Sequence, residues 1–199
     1  MNEIFIPAPI RPTTQAADGL PRWRCAVAEI EKLAAGGFFH EDERIELVGG
    51  EIVPMSPKGR RHETIRIELA DRFHRQAPPD LIVASEPQFN LSEDTYTVPD
   101  ILVHRRATKT YDLRGSEALL VVEVADTSLD YDRRIKMPLY AMHGVREYWV
   151  INAVTLTTGV HRQPSGNAYV SVEELPPDAR LVASLAPAIA VSLGELDLD

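Results

Sequence analysis

Cysteine is scarce in this 199-residue chain, whose one thiol belongs to Cys25. A single cysteine excludes an internal disulfide and a thiolate metal site, and it suits a reducing compartment. No apolar run approaches the roughly 20 residues that a membrane span requires. The segment Met1–Leu20 contains Pro7, Pro9 and Pro12 and lacks the charged-then-apolar pattern of a targeting signal. We therefore predict that residues 1–22 form an extended arm and that the protein is cytoplasmic, with no membrane contact.

Positive charge is also scarce, because 21 Lys and Arg stand against 30 Asp and Glu, a net charge of -9. This balance argues against broad electrostatic binding to nucleic acid, so any DNA contact requires a local basic patch. The segment from Lys58 to Arg75 is locally basic, and its first three basic residues are candidates to hold a DNA phosphate: Lys58, Arg60 and Arg61. A solvated helix face is the alternative interpretation. None of the 6 histidines are spaced as a zinc-binding pair on a helix, which argues against a zinc hydrolase.

Hydrophobic periodicity predicts one mixed domain of helices and strands over residues 23–199. Helices are predicted at Trp23–Ala35 and Arg60–Gln76, and a hairpin at Arg44–Met55 around Gly49 and Gly50. Strands are predicted at Leu81–Ser85, Phe89–Leu91, Ile101–His104, Ala118–Val124 and Glu147–Ile151. A third helix, kinked at Pro138, is predicted from Asp130 or Asp132 to His143. The end of the chain suggests a second hairpin and a final strand near Ile189–Leu193.

Two apolar runs each carry one acid, and these acids are the main candidates for a site. Asp100 opens the run Val98–Val103 after a proline, and Glu123 lies within Leu119–Val124. An Asp or Glu in a buried strand is rarely unpaired, because burying a lone carboxylate is costly. On neighbouring strands the two carboxylates would repel each other, and a divalent cation such as Mg²⁺ or Mn²⁺ would remove that repulsion. The alternative is that each acid pairs with an arginine at a strand end.

Lys136 lies thirteen residues after Glu123 in the predicted helix. It is about 100° around the helix from Ile135, at the edge of the apolar face, from where its ammonium can reach over the end of a sheet. Its alternative role is a surface ion pair with Asp132, four residues earlier, worth a few tenths of a kcal/mol. Spacing alone leaves both interpretations open.

Several short segments of the sequence, in this order along the chain, together resemble the PD-(D/E)XK nuclease superfamily. They resemble more closely its bacterial restriction-endonuclease-like group, long catalogued as a domain of unknown function. The resemblance covers roughly residues 44–170 and is carried by Ile45–Ile52, Met55–Pro57, Arg61–Glu63, Val98–Asp100, Val122–Ser128, Tyr131–Lys136, Leu139–Tyr140 and Gly144–Asn152. It implies a restriction-endonuclease-like α/β (α+β) core: a central mixed sheet in helix–strand–strand–strand–helix–strand order, with flanking helices and a C-terminal hairpin. The superfamily's usual lysine, two residues after the second acid, is here Ala125, and the resemblance nominates Lys136 in its place.

The resemblance also implies roles for several residues. Asp100, Glu123 and Lys136 are the implied catalytic residues, and Asp100, Glu123, the Val124 carbonyl and Glu63 are the implied metal ligands, with Glu46 as the other possible ligand. We expect a Mg²⁺- or Mn²⁺-dependent DNA endonuclease that acts as a homodimer. Two alternatives stay open: a nuclease-fold protein that binds nucleic acid or another partner with little or no turnover, and a metal-dependent hydrolase of a small phosphate ester.

Overall fold

The structure is a computed structural model, and it describes residues 23–40, 43–126 and 128–198. The predicted N-terminal arm therefore lies outside the described residues. Among those described, no helix combines the length and the apolar character that crossing a membrane would require.

The predicted order of elements is confirmed. Helix α1 is Val27–Ala35, the hairpin strands are β1 (Ile45–Val48) and β2 (Glu51–Pro54), and helix α2 is Arg60–Gln76. The strands that follow are β3 (Leu81–Ser85), β4 (Phe89–Ser92), β5 (Thr95–Thr97), β6 (Ile101–Arg105) and β7 (Ala118–Ala125). Short 3₁₀ turns at Thr110–Asp112 and Gly115–Glu117 connect β6 to β7.

The second half begins with a broken helix made of α3 (Leu129–Tyr131), a π-helical segment (Asp132–Lys136) and α4 (Met137–Met142). It is followed by β8 (Glu147–Asn152), β9 (Thr158–Ser165), β10 (Ala168–Leu175), β11 (Leu181–Val182), β12 (Ala190–Val191) and a 3₁₀ turn at Leu193–Glu195. The predicted C-terminal hairpin corresponds to β9 and β10.

The central sheet has six strands in the order β10-β9-β8-β7-β6-β3. Strands β7 and β8 are parallel and the other pairs are antiparallel, so the predicted mixed sheet is confirmed. A parallel pair requires a crossover connection, and the broken helix supplies it. A smaller sheet of order β2-β1-β5-β4 lies beside it. Strand β5, which the sequence analysis missed, belongs to this smaller sheet.

Every residue of β7 is buried because helices and loops cover both faces of the central sheet. One face packs against α2 through Ile65, Leu69 and Phe73 in a core cluster that includes Val122 and Val124. The opposite face packs against α4 in a cluster that includes Val121, Ala125 and Tyr140. Residues at even spacing along a strand share a face. Glu123 therefore points toward the broken helix together with Val121 and Ala125.

One prediction about an element was wrong, and two boundaries agree with the prediction. Strand β6 begins at Ile101, as predicted, so Asp100 directly precedes it. The third helix is not a continuous α-helix kinked at Pro138, because Asp132–Lys136 forms a wider π turn and Pro138 lies in the first turn of α4. Proline lacks the N–H that would bond to the carbonyl of Arg134 in an α-helix, which favours a local change of helix type there. The final strand predicted near Ile189–Leu193 is present as β12 and is limited to Ala190–Val191.

Candidate active site

Asp100 and Glu123 lie opposite each other at one end of the central sheet. The antiparallel register pairs Ile101 with Val122 and Leu102 with Val121, which places Asp100 across from Glu123 at the next position. Asp100 itself directly precedes β6, and its carboxylate accepts a hydrogen bond from the Val124 backbone N–H of β7. Both acids are buried, with 2% and 4% of their surfaces exposed, and both line one pocket of about 380 Å³.

The carboxylate of Asp100 is held by three donors. Its Oδ2 accepts a hydrogen bond from the Val124 backbone N–H at 2.8 Å and lies 3.1 Å from His62 Nε2. Its Oδ1 lies 2.6 Å from the Lys58 ammonium. Burial raises the pKa of Asp100, but the hydrogen bond and charge of His62, together with Lys58, outweigh burial and lower that pKa to about 2. Asp100 is therefore ionised at neutral pH.

Glu123 has a different environment. Its Oε1 lies 2.8 Å from the Lys136 ammonium and accepts a hydrogen bond of 3.1 Å from the Tyr140 hydroxyl. Burial raises the pKa of this carboxyl well above its ordinary value, and the nearby charges of Asp132 and Asp100 raise it further against the opposing charge of Lys136. A cation that binds at Glu123 must therefore compete with a proton.

Of the two interpretations of Lys136, the surface ion pair with Asp132 was wrong. The residue is only 5% exposed, and its ammonium lies 2.8 Å from Glu123 Oε1, 2.9 Å from Glu46 Oε1 and 3.8 Å from Asp132 Oδ1. Desolvation lowers the pKa of Lys136, but these carboxylates, Glu123 first, raise it well above the ordinary value. Lys136 is consequently a buried cation that joins the broken helix to both sheets.

Glu46 enters the site from the smaller sheet. It lies on β1, is 2% exposed, and accepts a hydrogen bond of 2.9 Å from the backbone N–H of Val98 in addition to its ion pair with Lys136. Asp132 approaches from the π turn and accepts a hydrogen bond from the Ser128 hydroxyl at 2.6 Å. The sequence analysis named both acids, but it considered Asp132 only as the partner of Lys136 in the alternative surface ion pair.

Most of the predicted site residues line one pocket: Glu46, Lys58, Asp100, Glu123, Val124 and Lys136. The predicted residues Glu63, Arg60 and Arg61 do not line it. Glu63 lies outside this lining and pairs with Arg66 at 2.7 Å. Arg60 is exposed, and Arg61 donates to the carbonyl groups of Ala153 and Val154. Of the three predicted phosphate-binding residues, only Lys58 lines the pocket.

The sequence analysis gave no site role to two residues that contribute to the site. Tyr140 is fully buried and its hydroxyl donates to Glu123 Oε1 and lies 3.0 Å from Thr97 Oγ1. Its position one helical turn after Lys136 was an available signal. Glu86 follows the end of β3 and lies 2.5 Å from the Lys58 ammonium. No local pattern distinguishes it, because this contact depends on how β3 pairs with β6.

Hard oxygen donors dominate the pocket. Its lining contains the five acids Glu46, Asp100, Glu123, Asp126 and Asp132, against two lysines and His62. Carboxylate and carbonyl oxygens suit Mg²⁺ or Mn²⁺, and the excess of acids over lysines attracts a cation. Within residues 23–40, 43–126 and 128–198, no three His, Cys, Asp or Glu side chains form a ready-made metal site. The donor set fits a metal held by two carboxylates and completed by water and substrate oxygens.

Comparison with known proteins agrees with this architecture. The model of the Uma2 family, described as "Putative restriction endonuclease", matches residues 27–194. A solved structure, described as a putative nuclease belonging to DUF820 from Anabaena variabilis ATCC 29413, superposes with a TM-score of 0.69 at 21% identity. The alignment covers 86% of this chain and 97% of that one, and it shows that the fold is shared. No curated protein matches the chain.

Proposed function

Because the chain belongs to the Uma2 family of restriction-endonuclease-like proteins, we propose that it is a metal-dependent DNA endonuclease that hydrolyses phosphodiester bonds. Family membership supports the nuclease function. The observation that carries the proposal of metal dependence is the facing pair of Asp100 and Glu123 at the wall of one pocket.

We assign Asp100, Glu123 and the carbonyl oxygen of Val124 as the groups that would hold Mg²⁺ or Mn²⁺. When bound, the metal would neutralise charge on the attacked phosphate and activate water as a nucleophile. His62 and the Val124 N–H fix the orientation of Asp100 through its Oδ2. Tyr140 and Lys136 fix Glu123 through its Oε1. Such preorganisation lowers the cost of arranging the ligands during the reaction.

Lys136 has two functions in this proposal. Its ammonium compensates the charges of Glu46 and Glu123, which allows two buried carboxylates to lie close together. It also lines the pocket, where it adds positive charge toward a bound phosphate. Lys58 supplies a second ammonium at the same pocket through its contact with Asp100.

Cleavage of supercoiled plasmid tests the proposal. The purified wild type is incubated with Mn²⁺, Mg²⁺ or EDTA beside Asp100→Asn, Glu123→Gln and the control Asp80→Asn, which changes an exposed ion pair with Arg105. We expect nicked or linear product from the wild type and Asp80→Asn only with metal. Either site variant should lower the rate at least a hundredfold, about 2.7 kcal/mol of barrier. Equal cleavage by all four proteins would identify a contaminating nuclease and contradict the proposal.

The same preparations distinguish the two alternatives. Binding of Mn²⁺ and of duplex without cleavage would indicate a nuclease fold that binds nucleic acid without turnover. Hydrolysis of a small phosphate ester, lost in Asp100→Asn, with intact plasmid would indicate the small-ester hydrolase. The net charge of -9 is compatible with both alternatives, so the assay and not the composition separates them.

The proposed substrate also bears on assembly and location. A duplex has two strands, and a symmetric homodimer presents one site to each. We therefore keep the homodimer and the cytoplasmic location as parts of the proposal, the latter supported by the single cysteine of the sequence.

A further inference from the structure

A second group of charged side chains lies beside the candidate site, on the other side of Lys58. The carboxylate of Glu86 contacts three cations: Arg44 at 2.5 Å, Lys58 at 2.5 Å and Arg66 at 3.7 Å. We call these four residues the Glu86 cluster. Partial burial raises the pKa of Glu86, but the hydrogen bonds from Lys58 and Arg44 outweigh it and keep that pKa below its ordinary value.

The Glu86 cluster and the candidate site share one end of the central sheet. Strand β3 pairs with β6 so that Ser85 lies opposite Ile101, and the Glu86 backbone N–H donates to the Asp100 carbonyl at 3.1 Å. Glu86, Asp100 and Glu123 therefore follow one another across the ends of three neighbouring strands. Lys58 joins the cluster to the site because its ammonium contacts both Glu86 and Asp100.

The charges around the cluster are balanced as they stand. Arg44, Lys58 and Arg66 face Glu86, and two further acids share these cations, since Arg66 pairs with Glu63 and Lys58 with Asp100. An incoming anion can bind one of these cations only if it displaces the carboxylate that is paired with that cation. A divalent cation at Asp100 would shift the same balance toward positive charge and favour an additional anion.

Displacement of Glu86 would free the most positive charge, because Glu86 contacts all three cations, whereas Glu63 pairs with Arg66 and Asp100 with Lys58. The Glu86 side chain is 25% exposed, whereas that of Asp100 is 3% exposed and is also held by His62 and the Val124 N–H. Glu86 follows the end of β3 with φ 50°, a left-handed backbone conformation that residues other than glycine rarely adopt. Arg44, with a side chain 40% exposed, opens the cluster to solvent. Guanidinium groups bind phosphate oxygens with the same geometry as carboxylate oxygens.

We propose that Arg44, Lys58 and Arg66 form a subsite for a backbone phosphate of the nucleic acid, and that Glu86 occupies this subsite until the substrate displaces it. This inference rests on the proposed function and adds to it a position for a phosphate next to the one that is cleaved. It also accounts for nucleic-acid binding by an acidic chain, because the three cations are concentrated beside the pocket while one internal carboxylate masks them.

Binding of a fluorescein-labelled duplex, measured by anisotropy in EDTA over a series of salt concentrations, tests the inference without cleavage. Glu86→Gln should bind at least threefold more tightly than the wild type. The slope of log K against log salt should become steeper by about 0.9, the value for one additional phosphate contact on duplex DNA. Asp80→Asn is the matched control, since it removes one negative charge and releases Arg105 at the opposite end of β3. Its affinity should change less than twofold, with an unchanged slope.

A second substitution identifies which cations act. Adding Arg44→Gln to Glu86→Gln should return both affinity and slope toward the wild-type values. If Glu86→Gln lowers the melting temperature, Glu86→Gly replaces it, because glycine suits the positive φ at this position.

Equal affinity and slope for the Glu86 variant and Asp80→Asn would overturn the inference. Inorganic phosphate should displace the duplex from Glu86→Gln at a lower concentration than it displaces the duplex from the wild type. That result would support a phosphate subsite. Binding of inorganic phosphate without any gain in duplex affinity would overturn its assignment to nucleic acid.

The outcome for the subsite is separable from the outcome for the nuclease. Metal-dependent cleavage by the wild type together with unchanged binding by Glu86→Gln would overturn the subsite alone. Tighter binding by Glu86→Gln together with no metal-dependent cleavage by the wild type would support the subsite and overturn the proposed endonuclease.

Discussion

Replacement of Lys136 by methionine should destabilise the protein by about 3–5 kcal/mol, the usual cost of removing one partner from a buried ion pair. Methionine retains the apolar stem and removes the ammonium that lies 2.8 Å from Glu123 Oε1 and 2.9 Å from Glu46 Oε1. Because both acids are 2–4% exposed, water compensates poorly for the lost cation. The few tenths of a kcal/mol expected from a surface pair with Asp132 are therefore a large underestimate.

The destabilisation should depend on pH with a definite sign. Burial already raises the pKa of Glu123, and loss of the ammonium raises it further. A carboxyl whose pKa is higher in the folded than in the unfolded state favours folding at low pH, and this contribution is lost as pH rises through the folded-state value. Lys136→Met should consequently lose more stability, relative to the wild type, at pH 8 than at pH 5.

Urea denaturation at pH 5 and pH 8 measures both effects. Arg133→Met is the control on the same helix, because the Arg133 side chain is 40% exposed and pairs with Glu174 at 3.3 Å. This substitution should cost less than about 1 kcal/mol. Adding Glu123→Gln to Lys136→Met removes one of the unpaired charges and should recover part of the loss. A loss below 1 kcal/mol for Lys136→Met at both pH values, with no recovery in the double variant, would refute the reasoning. Any cleavage by the wild type should fall at least a hundredfold in Lys136→Met, about 2.7 kcal/mol of barrier.

Three further predictions follow from single features. Glu63→Gln should leave Mn²⁺ affinity, measured by calorimetry, within twofold of the wild type, because Glu63 pairs with Arg66 outside the pocket; a tenfold loss would restore it as a ligand. His161→Phe should raise stability by about 1 kcal/mol, since neither ring nitrogen has a hydrogen-bond partner in the described residues. Burial, with a smaller effect of Arg133, lowers the pKa of His161, so the wild type loses stability as pH falls below the unfolded-state pKa of about 6.5. Urea denaturation should therefore show that the stability advantage of His161→Phe over the wild type widens toward pH 5. An advantage that does not change with pH would contradict this. Light scattering at micromolar concentration should give about twice the 22.2 kDa chain mass for a homodimer, and the single-chain mass would count against it.

Local signals were sufficient for much of the fold. Helix α2 spans Arg60–Gln76 as predicted, because its apolar spacing and the prolines after it act within a few residues of each boundary. The first hairpin turns at Gly49 and Gly50, which both have positive φ, a conformation that glycine adopts without steric cost. The acids in apolar runs were also identifiable, because a carboxylate among buried residues requires a partner whatever the fold.

The contacts of the site were decided by the tertiary structure. Register alone places Asp100 opposite Glu123, and the crossover between the parallel strands β7 and β8 buries Lys136 between acids of two different sheets. The spacing of Lys136 from Asp132 is the same for a surface pair and for this buried cluster, so sequence could not separate them. Glu86 illustrates the same limit: its three cations come from separate segments of the chain. Periodicity specifies which face of an element is apolar, whereas the partner of a charged side chain depends on how distant elements pack, and here that packing determined the site.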